Sequence, residues 1–305
     1  MGASQRANAL LVSLEDSDLG VRRDAVMELG LMGPQMLAQH ASAVAARLED
    51  SDGQVRWRAL ETLAELEPEA LARHADAVIA RLEELNEQVR KLALTTLGKL
   101  TPETLAQHAD AVAARLEDSY WGVRSMALTT LGKLTPAALA HHACAMAKRL
   151  EDSRWGVRLD ALETLGKLTP ATLARHADAV VARLEDDNHH ARYAALRTLG
   201  KLGPAVLLQH ADAVVGMIAR VPFVLVYKET VLTVLRVLPH VITRDIDFES
   251  VDGRSRLLSR LRWYRCRLHL RVKWFALYWY ALPYRPSGPG YARDVAAWDR
   301  MLIME

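Results

Sequence analysis

Leu14, Leu48, Leu82, Leu116, Leu150 and Leu184 stand 34 residues apart, and each opens an acidic pair, Glu-Asp or Glu-Glu. A fixed period of this length marks a chain built by copying one short unit. No single unit can bury its apolar face alone, so successive units must stack into a solenoid. The period therefore overrides the prior of two ordinary domains that 305 residues would suggest. A stack offers a long surface and no enclosed pocket, so binding is the expected activity.

One unit, PETLAQHADAVAARLEDSYWGVRSMALTTLGKLT from Pro102, shows the expected local structure. Proline recurs at Pro34, Pro68, Pro102, Pro136, Pro170 and Pro204. Its missing N–H is tolerated best at the first helical position, so each proline should start a helix. Leu105, Ala109, Val112 and Leu116 then fall at helical spacing and predict one helix ending near Glu117. After a turn over Asp118 to Gly122, a second helix carries Val123, Ala127, Leu128, Leu131 and Leu134 inward. Alanines such as Ala109, Ala111 and Ala127 let neighbouring helices approach closely.

A second regularity flanks the turn. Asp16 and Arg22, Asp50 and Arg56, Glu84 and Arg90, Asp118 and Arg124, Asp152 and Arg158, and Asp186 and Arg192 are each six residues apart. An acid in the turn, then Val-Arg opening a helix that ends in Leu-Gly, resembles HEAT repeats. The similarity is greatest to the short form first noted in phycobilisome lyases, a member of the ARM-type fold superfamily, and it covers roughly residues 8–240. It implies an all-α, right-handed solenoid of two-helix units with the second helices lining the concave face. It also implies that Asp50, Arg56, Asp118, Arg124, Asp152 and Arg158 form a hydrogen-bonded ladder between units. The solenoid is expected over residues 1–249, with six to seven units and atypical ends. Ala7 to Glu15 would be a lone first helix, and Ala219-Arg220-Val221-Pro222-Phe223 replaces the acidic turn of the seventh unit.

Candidate chemistry is sparse. His40, His74, His108, His142, His176 and His210 keep the period, but units lie about 8–10 Å apart and zinc–nitrogen bonds are about 2 Å. Successive histidines therefore cannot share a metal, and each is read as satisfying backbone or a neighbouring acid such as Asp110. The di-iron enzymes among HEAT proteins use His-Glu pairs, and no His-Glu dipeptide occurs. His141-His142 and His189-His190 read as solvated surface. No phosphate loop, nucleophile elbow or catalytic carboxylate pair appears. No catalysis, cofactor, metal or small-molecule substrate is expected.

The lysine column Lys99, Lys133, Lys167 and Lys201 complements helix C-termini or else forms a phosphate-facing ridge. Residues 1–253 hold 28 Lys plus Arg against 34 Asp plus Glu, a poor balance for a nucleic-acid solenoid.

Variation between units points to recognition. The turn changes freely, from Asp52-Gly53-Gln54 through Asn86-Glu87-Gln88, Tyr120-Trp121-Gly122 and Arg154-Trp155-Gly156 to Asn188-His189-His190, as do Trp57, Lys91, Ser125, Leu159 and Tyr193 beyond it. Exposed tryptophan is costly and aromatics are enriched in binding hot spots. Tyr120, Trp121, Arg154, Trp155 and Tyr193 are the candidate contacts for a protein partner of a scaffold or adaptor.

Residues 250–305 form a different segment. Residues 254–305 hold 11 Lys plus Arg against Asp294, Asp299 and Glu305, and no acid falls between Gly253 and Arg293. Leu257, Leu261, Tyr264, Leu268, Val272, Phe275 and Trp279 predict an amphipathic helix flanked by Arg256, Arg260, Arg267 and Arg271. Three roles are open to residues 254–285: a cap on the last unit, a contact with anionic membrane, or binding of nucleic acid or an acidic protein. A HEAT-like lyase or lyase subunit is a third functional reading, supported by the repeat subtype alone. Two distant cysteines and an N-terminus without an apolar run fit a cytoplasmic or nuclear chain.

Overall fold

Proline at the first position decides where each unit begins. The computed structural model describes residues 3–210 together with residues 213 and 214, and within these it is helical, with no strand. Two helices, α1 (Ala3–Ser13) and α2 (Leu19–Leu31), precede the first complete unit, α3 (Pro34–Ala46) and α4 (Gly53–Leu63). Gly33 enters α3 at φ 92°, a left-handed conformation that a side chain would strain. The following units are α5 (Pro68–Ala72), α6 (Ala75–Ala80) and α7 (Glu87–Leu97), then α8 (Pro102–Gln107), α9 (Ala109–Ala114) and α10 (Trp121–Leu131). Next come α11 (Pro136–Ala140), α12 (Ala143–Lys148) and α13 (Trp155–Leu165), α14 (Pro170–Ala174), α15 (Ala177–Ala182) and α16 (His189–Leu199), and last α17 (Pro204–Gln209). Thr101, Thr135 and Thr169 cap α8, α11 and α14 with their side-chain oxygens.

The helix expected from Pro102 to Glu117 is divided. At His108 the backbone turns to φ −115°, ψ 9°, and its N–H bonds the carbonyl of Leu105, three residues back, at 3.0 Å. The bond ladder tightens there and the helix is interrupted, giving α8 and α9. The same break falls at His74, His142 and His176, whereas α3 runs unbroken past His40. In each complete unit the first arm ends in a 3₁₀ turn, Arg115–Glu117 in this one, which buries the anchor leucine.

One continuous core of leucine, valine and alanine runs through the stack. Leu48, Leu82, Leu116, Leu150 and Leu184 are buried, as are Leu60, Leu94, Leu128, Leu162 and Leu196 of the long helices. Three rows of polar contacts tie unit to unit beside it. Thr130, Thr164 and Thr198 donate to the carbonyls of Leu94, Leu128 and Leu162 at 3.1, 3.2 and 2.9 Å. Lys133 and Lys167 donate from Nζ to the carbonyls of Gly98 and Gly132 at 2.6 and 2.7 Å, and Lys99 and Lys201 bond Ala64 and Gly166 in the same way. The lysine column thus answers the open carbonyls at the end of the preceding unit's long helix; it is not a free phosphate-facing ridge. Arg47, Arg81 and Arg115 donate to the carbonyls of Leu14, Leu48 and Leu82 at 2.8, 2.7 and 2.9 Å.

The degenerate seventh turn and residues 250–305, with Arg256, Arg260, Arg267 and Arg271, lie outside the described residues. Among those described, no helix is long and apolar enough to cross a membrane.

Candidate functional site

The turn between the short and long helices is built from the acid–arginine ladder. Arg124 donates through Nε and Nη2 to both carboxylate oxygens of Asp152, one unit on, at 2.7 Å each. Its Nη1 reaches back to the carbonyls of Asp118 and Ser119 in its own turn at 2.9 and 3.1 Å. Asp152 also accepts from the N–H of Arg154 at 3.0 Å. Every polar atom of the pair's forked contact therefore has a partner, which a buried ion pair requires. Arg22 with Asp50, Arg56 with Glu84, Arg90 with Asp118 and Arg158 with Asp186 repeat it. For Asp50 the Arg22 hydrogen bond holds the carboxyl below its usual range. For Asp118, Asp152 and Asp186 burial pushes the carboxyl up, but the arginine and backbone hydrogen bonds overcome it and hold it low.

The ladder acid fixes the turn so that the residue two positions on stands at the N-cap of the long helix. Asp18 and Asp52 cap α2 and α4, Asn86 caps α7, and Asn188 caps α16, each with its side-chain oxygen on backbone N–H groups. Tyr120 and Arg154 hold the same position before α10 and α13 and supply no side-chain cap. Trp121 and Trp155, the first residues of these two helices, are 41% and 46% exposed.

The side chains on these turns meet across units. The Arg154 guanidinium carbon lies 6.0 Å from the centre of the Trp121 ring, within cation–π range. Trp155 stacks on His190 of the following unit, with centroids 5.8 Å apart. His189 meets Tyr193 edge-on at 6.3 Å. A strip thus runs from Trp121 through Arg154 and Trp155 to His190, His189 and Tyr193. Tyr120 lies partly beneath it: half-buried against the core, its ring passes so near Gly122 that a Cβ there would come within 2.7 Å of its Cε1 atom. Of the residues expected on the surface, Trp121, Arg154 and Trp155 come together as one exposed cluster, Tyr120 supports it, and Tyr193 joins through a histidine.

Sequence reasoning passed over His189 and His190 as solvated. They are exposed, yet they continue the aromatic strip; the place of His189 at the 34-residue offset from Trp155 was the available signal. Trp57, Leu159 and Tyr193, grouped with the variable positions, are partly buried against the core. Trp57 lines a groove of about 650 Å³ with Arg23, Asp24, Met27, Gln54 and Asn86. Further along the long-helix face, Ser125 donates to Asp160 of the next unit, and burial pushes the Asp160 carboxyl up.

The histidine series is spread along the stack. His108 and His142 place Nδ1 3.9 Å from Asp76 and Asp110 of the preceding unit. Burial pushes His74, His142 and His176 below the usual imidazole range. Among the described residues no three metal-ligating side chains converge.

No protein-family model and no curated protein matches the chain. Solved structures do. A designed armadillo repeat protein in complex with the peptide (KR)4 superposes with a TM-score of 0.54 at 14% identity, covering 64% of this chain and 98% of that one. An engineered protein gives 0.53 at 14% identity over 64% of this chain and 95% of its own. A structure from a study of a phosphorylation switch in the interaction between cadherin and beta-catenin gives 0.57 at 18% identity, covering 87% of this chain and 56% of that one. At such identities the likeness speaks for fold. Repeating helix pairs on a 34-residue period, a continuous core and these neighbours together show that the chain has the fold of an α-solenoid of the armadillo type.

Proposed function

We propose that this chain is a protein-interaction scaffold whose partner docks on the turn ridge of the central units. Trp121 and Trp155 are its anchors, Arg154 stands between them, Tyr120 supports the cluster and Tyr193 closes one end. The observation that carries this reading is a coincidence of two features. The two long helices that present exposed tryptophan are the two complete-unit helices that lack an N-cap side chain. Giving up a cap costs about 1 kcal/mol per helix, and an arginine at the positive end of a helix adds to that. Stability is forgone where recognition residues stand, the pattern of a surface kept for binding. Neighbours in fold that carry a peptide, (KR)4, or a protein interaction support the general role. We assign the chain no catalytic step.

The test is affinity capture with the full chain, beside Trp121→Ala and Trp155→Ala. Each substitution is expected to weaken partner binding by about 2 kcal/mol, roughly thirtyfold, with the melting transition nearly unchanged. Intact binding by both variants removes the site.

A second reading rests on the charge of residues 254–285, in which Arg256, Arg260, Arg267 and Arg271 flank an apolar stripe without a single acid. On this reading the segment associates with anionic membrane or nucleic acid. Replacing the four arginines by glutamine should then abolish binding to anionic vesicles, since each basic residue near such a surface contributes about 1 kcal/mol. No binding of the unmodified chain to vesicles or to nucleic acid at low salt contradicts it.

A further inference from the structure

We infer that the ridge takes an extended segment with proline at every third residue, and that its occupant is the chain's own Pro283-Tyr284-Arg285-Pro286-Ser287-Gly288-Pro289. The inference rests on the reading of the ridge as a recognition surface and names what fills it.

Three equivalent positions on successive units carry a ring: Trp121, Trp155 and His189, with His190 stacked on Trp155. They therefore repeat at the step of the stack, about 8–10 Å for packed helices. A polyproline II helix has three residues per turn and rises about 3.1 Å per residue, so prolines at every third position repeat about every 9.3 Å along one edge. The two repeats coincide, one proline to one unit. Aromatic rings standing in a row are also the surface that such helices dock on, because the preformed extended backbone loses little entropy on binding. Pro283, Pro286 and Pro289 have this spacing, and residues 254–305 carry a net positive charge while residues 1–253 are net acidic. Glu151, exposed and three residues before Arg154 in the chain, offers a partner for Arg285.

Reach is not a barrier. About 70 residues separate His210 from Pro283, and at the 1.5 Å rise of even a wholly helical chain that length covers about 105 Å. Trp155 lies within two units of α17, about 20 Å. At an effective concentration about ten times its intrinsic Kd, the segment would hold the ridge roughly nine-tenths of the time. Any competing ligand of the ridge would then bind about tenfold more weakly.

The probe is a fluorescent peptide of residues 281–291, titrated against three full-length chains and read by anisotropy. Against the chain with Pro283, Pro286 and Pro289 all replaced by alanine, the peptide should bind. Against the unmodified chain it should bind about tenfold more weakly, because the resident segment competes. Adding Trp121→Ala or Trp155→Ala to the proline-substituted chain should reduce binding tenfold or more, with melting of each variant confirming the fold. Absence of binding to the proline-substituted chain overturns the proposal. So does equal binding by the tryptophan variants, or equal binding of a peptide whose prolines are alanine, which would make charge alone the cause. If the peptide fails while tryptophan substitution still releases a captured partner, the occupant is wrong and the recognition surface stands; if neither responds to tryptophan, both readings fall.

Discussion

The units of this solenoid share one framework and differ in how their long helices begin. In α4, α7 and α16 a short polar side chain, Asp52, Asn86 or Asn188, closes the N-terminus. In α10 and α13 Tyr120 and Arg154 stand there and the tryptophans follow. Beneath both kinds the ladder is the same: Arg22 to Asp50 in the capped region, Arg124 to Asp152 in the uncapped one. The difference teaches that the interfaces between units and the tips of the turns serve separate ends. Stacking is carried by groups that are buried and paired, which leaves the N-cap position free to vary and, on the proposed reading, to exchange stability for recognition.

The largest effects should fall on the shared framework, and equally in both regions. Asp50→Ala and Asp152→Ala each leave a part-buried guanidinium without its carboxylate, and each should lower the midpoint of chemical denaturation more than any substitution on the ridge. A much smaller loss at Asp152 would mean that the central interfaces are held differently. Acid should act through the same groups. The folded carboxyls of Asp50, Asp118, Asp152 and Asp186 titrate below their unfolded range. Their stabilisation is thus complete above about pH 4 and is lost as pH falls through the depressed folded values. Asp160, pushed up by burial, works in the opposite sense. The melting midpoint should therefore decline steeply only below about pH 4, and ridge substitutions should leave that profile unchanged.

Next in size is a contrast between tryptophans. Trp57, half-buried against the core in a capped unit, should lose about 2 kcal/mol of stability on truncation to alanine. Trp121 and Trp155 should instead lose about 2 kcal/mol of partner binding. Melting and binding measured on the three variants would sharpen the comparison, and a stability loss at Trp121 matching that at Trp57 would break it. Smaller still, Asp52→Ala and Asn188→Ala should each cost about 1 kcal/mol by thermal melting. Arg154→Ala, which removes no cap, should change stability by less than about 0.5 kcal/mol.

Much of this was legible before any coordinates. Proline at the first helical position and leucine at the 34-residue step located every complete unit among the described residues, because both mark strict backbone or burial demands. The break at His74, His108, His142 and His176 was not legible: Leu105, Ala109, Val112 and Leu116 keep helical spacing across it, so the apolar stripe looks continuous. Nor was the second arginine row legible. Arg47, Arg81 and Arg115 follow the same period, but beside acidic pairs they look like solvated surface, and only the fold brings each against a carbonyl 33 residues earlier. The exposed tryptophans could be named from the sequence. Their meeting with Arg154 and His190 could not, because it depends on one turn reaching toward the next.

The central claim, that the middle units give up helix capping to hold a recognition surface, is tested most directly by Arg154→Asn, which places at α13 the residue that caps α16. The exposed guanidinium buries little, so the new cap and the removal of a positive charge from the helix start should stabilise the chain by about 1 kcal/mol, raising the melting midpoint by about 2–4 °C. Partner capture, measured on the same preparation, should fall. A midpoint that drops, or capture that matches the unmodified chain, would contradict the account.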